Sequence, residues 1–149
     1  MYTMPGFKFY SCVLILCVLE SISALPYTNC GSNDVELLNL DVSPCDSDRC
    51  ILKRGTSFTI SIKFKALTDV DAGGHRVEGG ERILVLLPEN GLCIHMIPSC
   101  PIKMGAEYVY SYSGTVPDNA EIGPVIVRWV LLYTDGSTFL CAEFPVEIA

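Results

Sequence analysis

Much of this chain alternates apolar and polar residues with a period of two. Ser57–Ala66 (S-F-T-I-S-I-K-F-K-A) is the clearest case. Phe58, Ile60, Ile62 and Phe64 fall on one face, and Thr59, Ser61, Lys63 and Lys65 on the other, as in a strand with one buried side. Val125–Thr134 sets Val125, Val127, Trp129 and Leu131 opposite Arg128. Glu107–Val116 places Tyr108, Tyr110 and Tyr112 on one side, and Phe139–Ile148 closes the chain after an Asp135-Gly136 turn. Val35–Ser43 alternates less cleanly. Arg82–Leu87 (R-I-L-V-L-L) is continuously apolar after its first residue, a pattern suited to a strand buried on both faces.

Between these runs stand Gly55, Gly73-Gly74, Gly79-Gly80, Pro88-Glu89-Asn90-Gly91 and Pro117-Asp118-Asn119, which read as turns. No amphipathic helix, repeat or low-complexity segment is found. Six or seven strands punctuated in this way predict an all-β fold, an antiparallel sandwich. A chain of 149 residues is long enough for one such domain.

The N-terminus changes the chemical setting. Lys8 precedes an apolar run, Phe9–Leu19, and Glu20–Ala24 is small and polar. These are the three zones of a secretory signal peptide over residues 1–24, leaving a domain at 25–149. The apolar run is about half the roughly 20 residues needed to span a bilayer. Cleavage would remove Cys12 and Cys17 and leave Cys30, Cys45, Cys50, Cys93, Cys100 and Cys141. An even set in a secreted chain reads as three disulfides, with 15 possible pairings. Cys45 with Cys50 and Cys93 with Cys100 could each close a short loop, and Cys30 with Cys141 would then staple the ends. The spacing lacks the close pairs of a zinc site.

The net charge of −7 argues against a nucleic-acid partner. The inventory of reactive groups is poor. His75, in a glycine-rich stretch, and His95, between two cysteines, read as surface-loop residues. Asp46 and Asp48 lack the later ligands of a calcium loop. Gly79-Gly80 is not followed by the Lys-Ser/Thr of a phosphate loop. No nucleophile–base set is visible, so neither catalysis nor a metal nor a cofactor is expected. No N-x-S/T sequon occurs, so delivery to lysosomes through a glycan is not supported. What remains is a soluble sandwich, either filled by its own side chains or parted around an apolar ligand.

The mature sequence resembles the ML (lipid-recognition) domain family, most closely its Niemann-Pick type C2-like branch. The resemblance rests on Cys30-Gly31-Ser32, Val42-Ser43-Pro44-Cys45 with Cys50 following, and Val77-Glu78-Gly79. It continues through Cys93 to Cys100-Pro101-Ile102, Arg128-Trp129 and Phe139-Leu140-Cys141-Ala142-Glu143-Phe144-Pro145-Val146. Together these span about Cys30 to Ile148. The resemblance implies an immunoglobulin-like sandwich of about seven strands, with disulfides Cys30–Cys141, Cys45–Cys50 and Cys93–Cys100. It implies a non-enzymatic, monomeric secreted carrier for a fatty acid, sterol or related lipid. A membrane transporter or receptor is a further possible partner, and an innate-immune lipid-recognition or receptor-binding module is the alternative role. Pocket positions carried over to this chain are Leu52, Phe58, Ile60, Ile62, Leu86, Tyr110, Val116, Ile122, Val127 and Trp129.

Three departures bear on the ligand. Sterol-binding members carry a Pro- and Phe-containing stretch where this chain has Ile83–Pro88. They carry a Tyr-Pro at the entrance where it has Ala120–Pro124, and a Trp after the last cysteine where it has Ala142. Smaller or aliphatic groups at these places suit a flexible chain more than a rigid sterol. For a carboxylate-bearing ligand, Arg76, Arg82 and Lys103 are the candidate entrance cations.

Overall fold

A computed structural model describes residues 25–46, 48–87 and 91–149, except the side chains of residues 85–87. The expected signal segment, residues 1–24, lies outside the described residues. Seven long strands form: β2 (Val35–Ser43), β4 (Ser57–Ala66), β5 (Gly73–Gly79), β6 (Arg82–Leu87), β8 (Glu107–Thr115), β9 (Gly123–Tyr133) and β10 (Thr138–Ile148). Three short ones join them: β1 (Thr28–Asn29), β3 (Cys50–Leu52) and β7 (Met96–Ile97). A 3-10 turn, Cys93–His95, is the one helical segment among the described residues.

The strands build two sheets facing each other. One runs β1-β10-β9-β5-β6, with β3 added in parallel to β10; the other runs β2-β4-β8-β7. All other pairings between named strands are antiparallel. The expected all-β sandwich is therefore present. Its inner faces follow the period-two pattern. Along β4, Ile60, Ile62, Phe64 and Ala66 are buried, and the first three pair with Tyr112, Tyr110 and Tyr108 of β8. Aromatic and β-branched residues pack well at such cross-strand positions. The uneven alternation in Val35–Ser43 has a local cause: the register with β4 shifts between Leu37 and Asn39, so one residue bulges out of the ladder.

Two expectations need correction. Gly73-Gly74 opens a strand, β5, and is not a turn, whereas Gly79-Gly80 does mark the turn from β5 into β6; β5 pairs with both β6 and β9. Gly73 is glycine because the sheet is tight there: a Cβ would stand 2.1 Å from the Leu132 carbonyl oxygen. The apolar β6 is not buried on both faces. It lies at the edge of its sheet, and Ile83 and Leu84 are 60% and 51% exposed.

All three disulfides are those the resemblance implied: Cys30–Cys141, Cys45–Cys50 and Cys93–Cys100. Cys30–Cys141 bridges a sequence separation of 111 residues, which on the chain-entropy account contributes about 4–5 kcal/mol. On the outer face of the larger sheet, Arg128 bonds Glu143 and approaches Glu78, which also pairs with Arg76.

Candidate ligand-binding cavity

Burial along single strands locates the cavity. On the inner face of β9, Leu131 and Trp129 are buried, whereas Val127 and Val125 are only partly covered. On β8, Tyr108 and Tyr110 are buried, and Tyr112 and Gly114 are not fully so. On β4, Phe64, Ile62 and Ile60 are buried, and Phe58 is half-buried. The side chains run out of partners toward the same end of the sandwich. There the sheets enclose a cavity of about 900 Å³. That volume lies within the usual range for small-molecule sites.

The wall is mostly hydrocarbon. Val42, Phe58 and Ile60 come from the smaller sheet, and Leu52, Val77, Val127 and Phe144 from the larger. At the mouth stand Ile83 and Leu84 of β6 and Ile122, all more than half exposed. Gly79 makes room for this rim: a Cβ there would meet Leu84 Cδ1 at 2.9 Å. Three charged residues share the mouth, Glu81, Arg82 and Glu121.

Of the pocket positions expected from sequence, Leu52, Phe58, Ile60, Val116, Ile122, Val127 and Trp129 all face this cavity. Ile62 and Tyr110 are fully buried in the neighbouring filled core and do not line it. Leu86 lies in β6 opposite Arg76, and its side chain is outside the described residues. Glycines 79 and 80, Val125, Val146 and Ile148 line the cavity without having been singled out. The inward parity of Val125, Val146 and Ile148 was available as a signal. Of the candidate entrance cations, Arg82 alone lines the cavity. Arg76 pairs with Glu78, and the Lys103 backbone N–H donates to the Tyr108 hydroxyl, at the other end of β8.

The inner end of the cavity adjoins an aromatic cluster. Here the reading of His75 as an exposed loop residue is overturned: it sits in β5 on the same inward parity as Val77 and is 0% exposed. Its ring lies 5.2 Å from Tyr112, 5.8 Å from Trp129 and 5.9 Å from His95. Tyr112 and Trp129 are cavity wall; His75 and His95 are not. His75 Nδ1 is 2.6 Å from the Tyr110 hydroxyl and 3.2 Å from the Gly91 carbonyl oxygen. Burial holds the His75 pKa below the ordinary imidazole value; the Gly91 contact opposes this and His95 adds to it. Burial likewise lowers His95, against a contact with the Ser111 backbone. Burial raises the Tyr110 hydroxyl well above its usual range. Both imidazoles are thus neutral near pH 7.

No group of three or more His, Cys, Asp or Glu among the described residues is placed to hold a metal ion. The arrangement offers burial, shape and a few hydrogen-bonding groups, which suits binding.

Comparisons with known proteins agree with this geometry. The ML domain family matches residues 24–148. The NPC intracellular cholesterol transporter 2 of Mus musculus is 31% identical over 143 residues, covering 91% of this chain and 94% of the relative. The ecdysteroid-regulated 16 kDa protein of Manduca sexta is 33% identical over 156 residues, covering 94% and 98%. Among solved structures, a Niemann-Pick type C2 protein from the Japanese carpenter ant superposes with a TM-score of 0.70 at 21% identity, covering 84% of this chain and all of that one. The sequence motifs, the sandwich and the family match all agree: this chain belongs to the ML domain family, whose Niemann-Pick type C2-like members are carriers and not enzymes.

Proposed function

We propose that this protein is a secreted carrier that takes up one hydrophobic ligand, reversibly, between its two sheets. One observation carries the reading: the inward-facing residues stop filling the sandwich at one end and line a cavity of about 900 Å³. Leu52, Phe58, Ile60, Val116, Ile122, Val127 and Trp129 are the proposed contact residues. A ligand chain of about 16 CH₂ groups gains roughly 13 kcal/mol gross on burial, at 0.8 kcal/mol per group. Ordering costs remove much of this, which is consistent with an exchangeable ligand.

The relatives named for cholesterol transport support a lipid as the cargo. The aliphatic replacements at Ile83–Pro88, Ala120–Pro124 and Ala142 favour a flexible chain over a rigid ring system. The signal-like residues 1–24 and three disulfides support secretion.

Native mass spectrometry of oxidised protein from a eukaryotic secretory host tests the reading. A mass excess matching a fatty acid, fatty alcohol or sterol is the expected result. Bare protein that also takes up no fluorescent fatty-acid or sterol probe would overturn it.

A further inference from the structure

Charged residues stand beside the apolar rim at the mouth of the cavity, and unpaired buried polar atoms lie behind its inner end. At the mouth, two acidic residues, Glu81 and Glu121, face one base, Arg82. This end repels a carboxylate on balance. The inner end is different. Trp129 Nε1 and His75 Nε2 are buried with no hydrogen-bond partner. The Trp129 indole N–H lies toward the Tyr110 hydroxyl but falls outside hydrogen-bond geometry. Leaving such groups unpaired is costly, and a ligand that pairs them recovers that cost.

His75 sets the chemistry of a partner. If the Tyr110 hydroxyl donates to Nδ1, then Nε2 carries the hydrogen and needs an acceptor. If Nδ1–H donates to the Gly91 carbonyl, then Nε2 needs a donor. A hydroxyl can serve as either; a carbonyl or carboxylate can only accept. No Asp, Glu, Lys or Arg makes a ring contact, hydrogen bond or salt bridge with this cluster among the described residues, so the site supplies no counter-charge for an anion.

Tyr112 adjoins both spaces. It lines the cavity, and its ring centre is 5.2 Å from those of His75 and Trp129. It is half-buried, and its hydroxyl has no hydrogen-bond partner among the described residues. Its ring rests beside Gly114, where a Cβ would stand 2.8 Å from Tyr112 Cε1. The ring packs against Phe58, His75, His95 and Trp129 without a hydrogen bond to hold its hydroxyl, and its turning would open the buried nitrogens to the tip of a ligand.

On the carrier reading proposed above, we infer that the preferred ligand is a long-chain lipid bearing an uncharged hydroxyl, which enters hydroxyl first and bonds at the Tyr112–Trp129–His75 end. The chain then lies along the aliphatic wall, and its methyl end faces the apolar rim of Ile83, Leu84 and Ile122.

Trp129 makes this directly measurable, because it is the sole tryptophan in the sequence. Bromine quenches tryptophan only at close range. Hexadecanol brominated beside the hydroxyl is expected to quench most of the emission, and hexadecanol brominated at the far end little of it. Stronger or equal quenching by the far-end probe overturns the inference and leaves the carrier reading standing. So does binding of hexadecanoic acid at pH 7 without binding of hexadecanol. If neither alcohol, acid nor cholesterol binds, the carrier reading fails as well. A second measurement uses His75→Phe, checked for folding by circular dichroism. Its expected result is loss of the preference for hexadecanol over the acid, and an unchanged preference counts against the inference. Should this variant misfold, the quenching pair on the native protein still decides.

Discussion

The two ends of the sandwich share strands but not a way of being stable. Beyond Trp129, toward the β9–β10 turn, Phe64, Phe139, Leu131, Leu140 and Tyr110 fill the space between the sheets, and each is fully buried or nearly so. Phe139 packs edge-on against Phe64 at 5.7 Å and against Tyr133 at 5.5 Å. Toward Gly123 the same strands carry valines and isoleucines that touch neighbours on one side and open space on the other. The filled end gains dispersion contacts that the hollow end forgoes. The difference teaches that one alternating pattern can serve two purposes, decided by side-chain size and not by polarity.

The largest expected effect comes from emptying the filled end. Phe64→Ala should cost about 3–5 kcal/mol, measured by denaturant unfolding, and should leave the ligand affinity of the folded fraction nearly unchanged. A loss below about 1 kcal/mol would contradict the contrast between the ends.

Filling the hollow end should do the reverse. Val127→Phe is expected to weaken ligand binding at least tenfold, about 1.4 kcal/mol, while changing stability by less than about 1 kcal/mol. The same enlargement at Ile62, in the filled core, should cost roughly 1–3 kcal/mol of stability. Probe displacement and thermal unfolding of the two variants, run side by side, check this.

A smaller effect is expected from acid. His75 is less basic folded than unfolded, because burial disfavours its charged form. The unfolded chain therefore binds more protons over a window that begins at the ordinary value of 6.5 and extends downward to the folded-state value. The stability due to neutral His75 is complete above that window and is lost as pH falls through it. His95 acts in the same direction. The unfolding midpoint should drop on acidification below pH 6.5, with a shallower drop in His75→Phe. A midpoint independent of pH across that range would contradict the burial of His75.

The smallest effect belongs to the outer surface. Lys63 and Glu107 pair at 3.5 Å with both side chains about half exposed. Lys63→Met should change stability by less than about 0.5 kcal/mol, since exposed pairs contribute little. A larger change would mean that the outer face supports the fold more than its exposure suggests.

Much of the fold was legible in the sequence because period two survives wherever one face is buried. β4 and β9 could be read to the correct face of each residue. β5 could not, because glycine has two meanings. At Gly73 it answers a close approach of strands, not a turn, and only the neighbouring Leu132 carbonyl reveals that. The misreading of His75 followed from the same error. β6 misled in the opposite sense, since a run of apolar residues can mark a buried strand or the rim of a cavity. Seven of the ten expected pocket residues line the cavity. Ile62 and Tyr110 share the inward parity but lie deeper, and parity carries no information about depth.

One feature of the frame reaches beyond a single molecule. β9 and β10 pair without a break in register from Leu131 with Leu140 to Gly123 with Ile148, so main-chain hydrogen bonds hold the cavity wall. Those bonds are indifferent to which side chains they carry. Descendants of such a gene can therefore exchange valine, isoleucine or phenylalanine along the wall and change cargo without losing the scaffold. Selection must keep the filled end nearly fixed and leaves the hollow end free to drift toward new ligands.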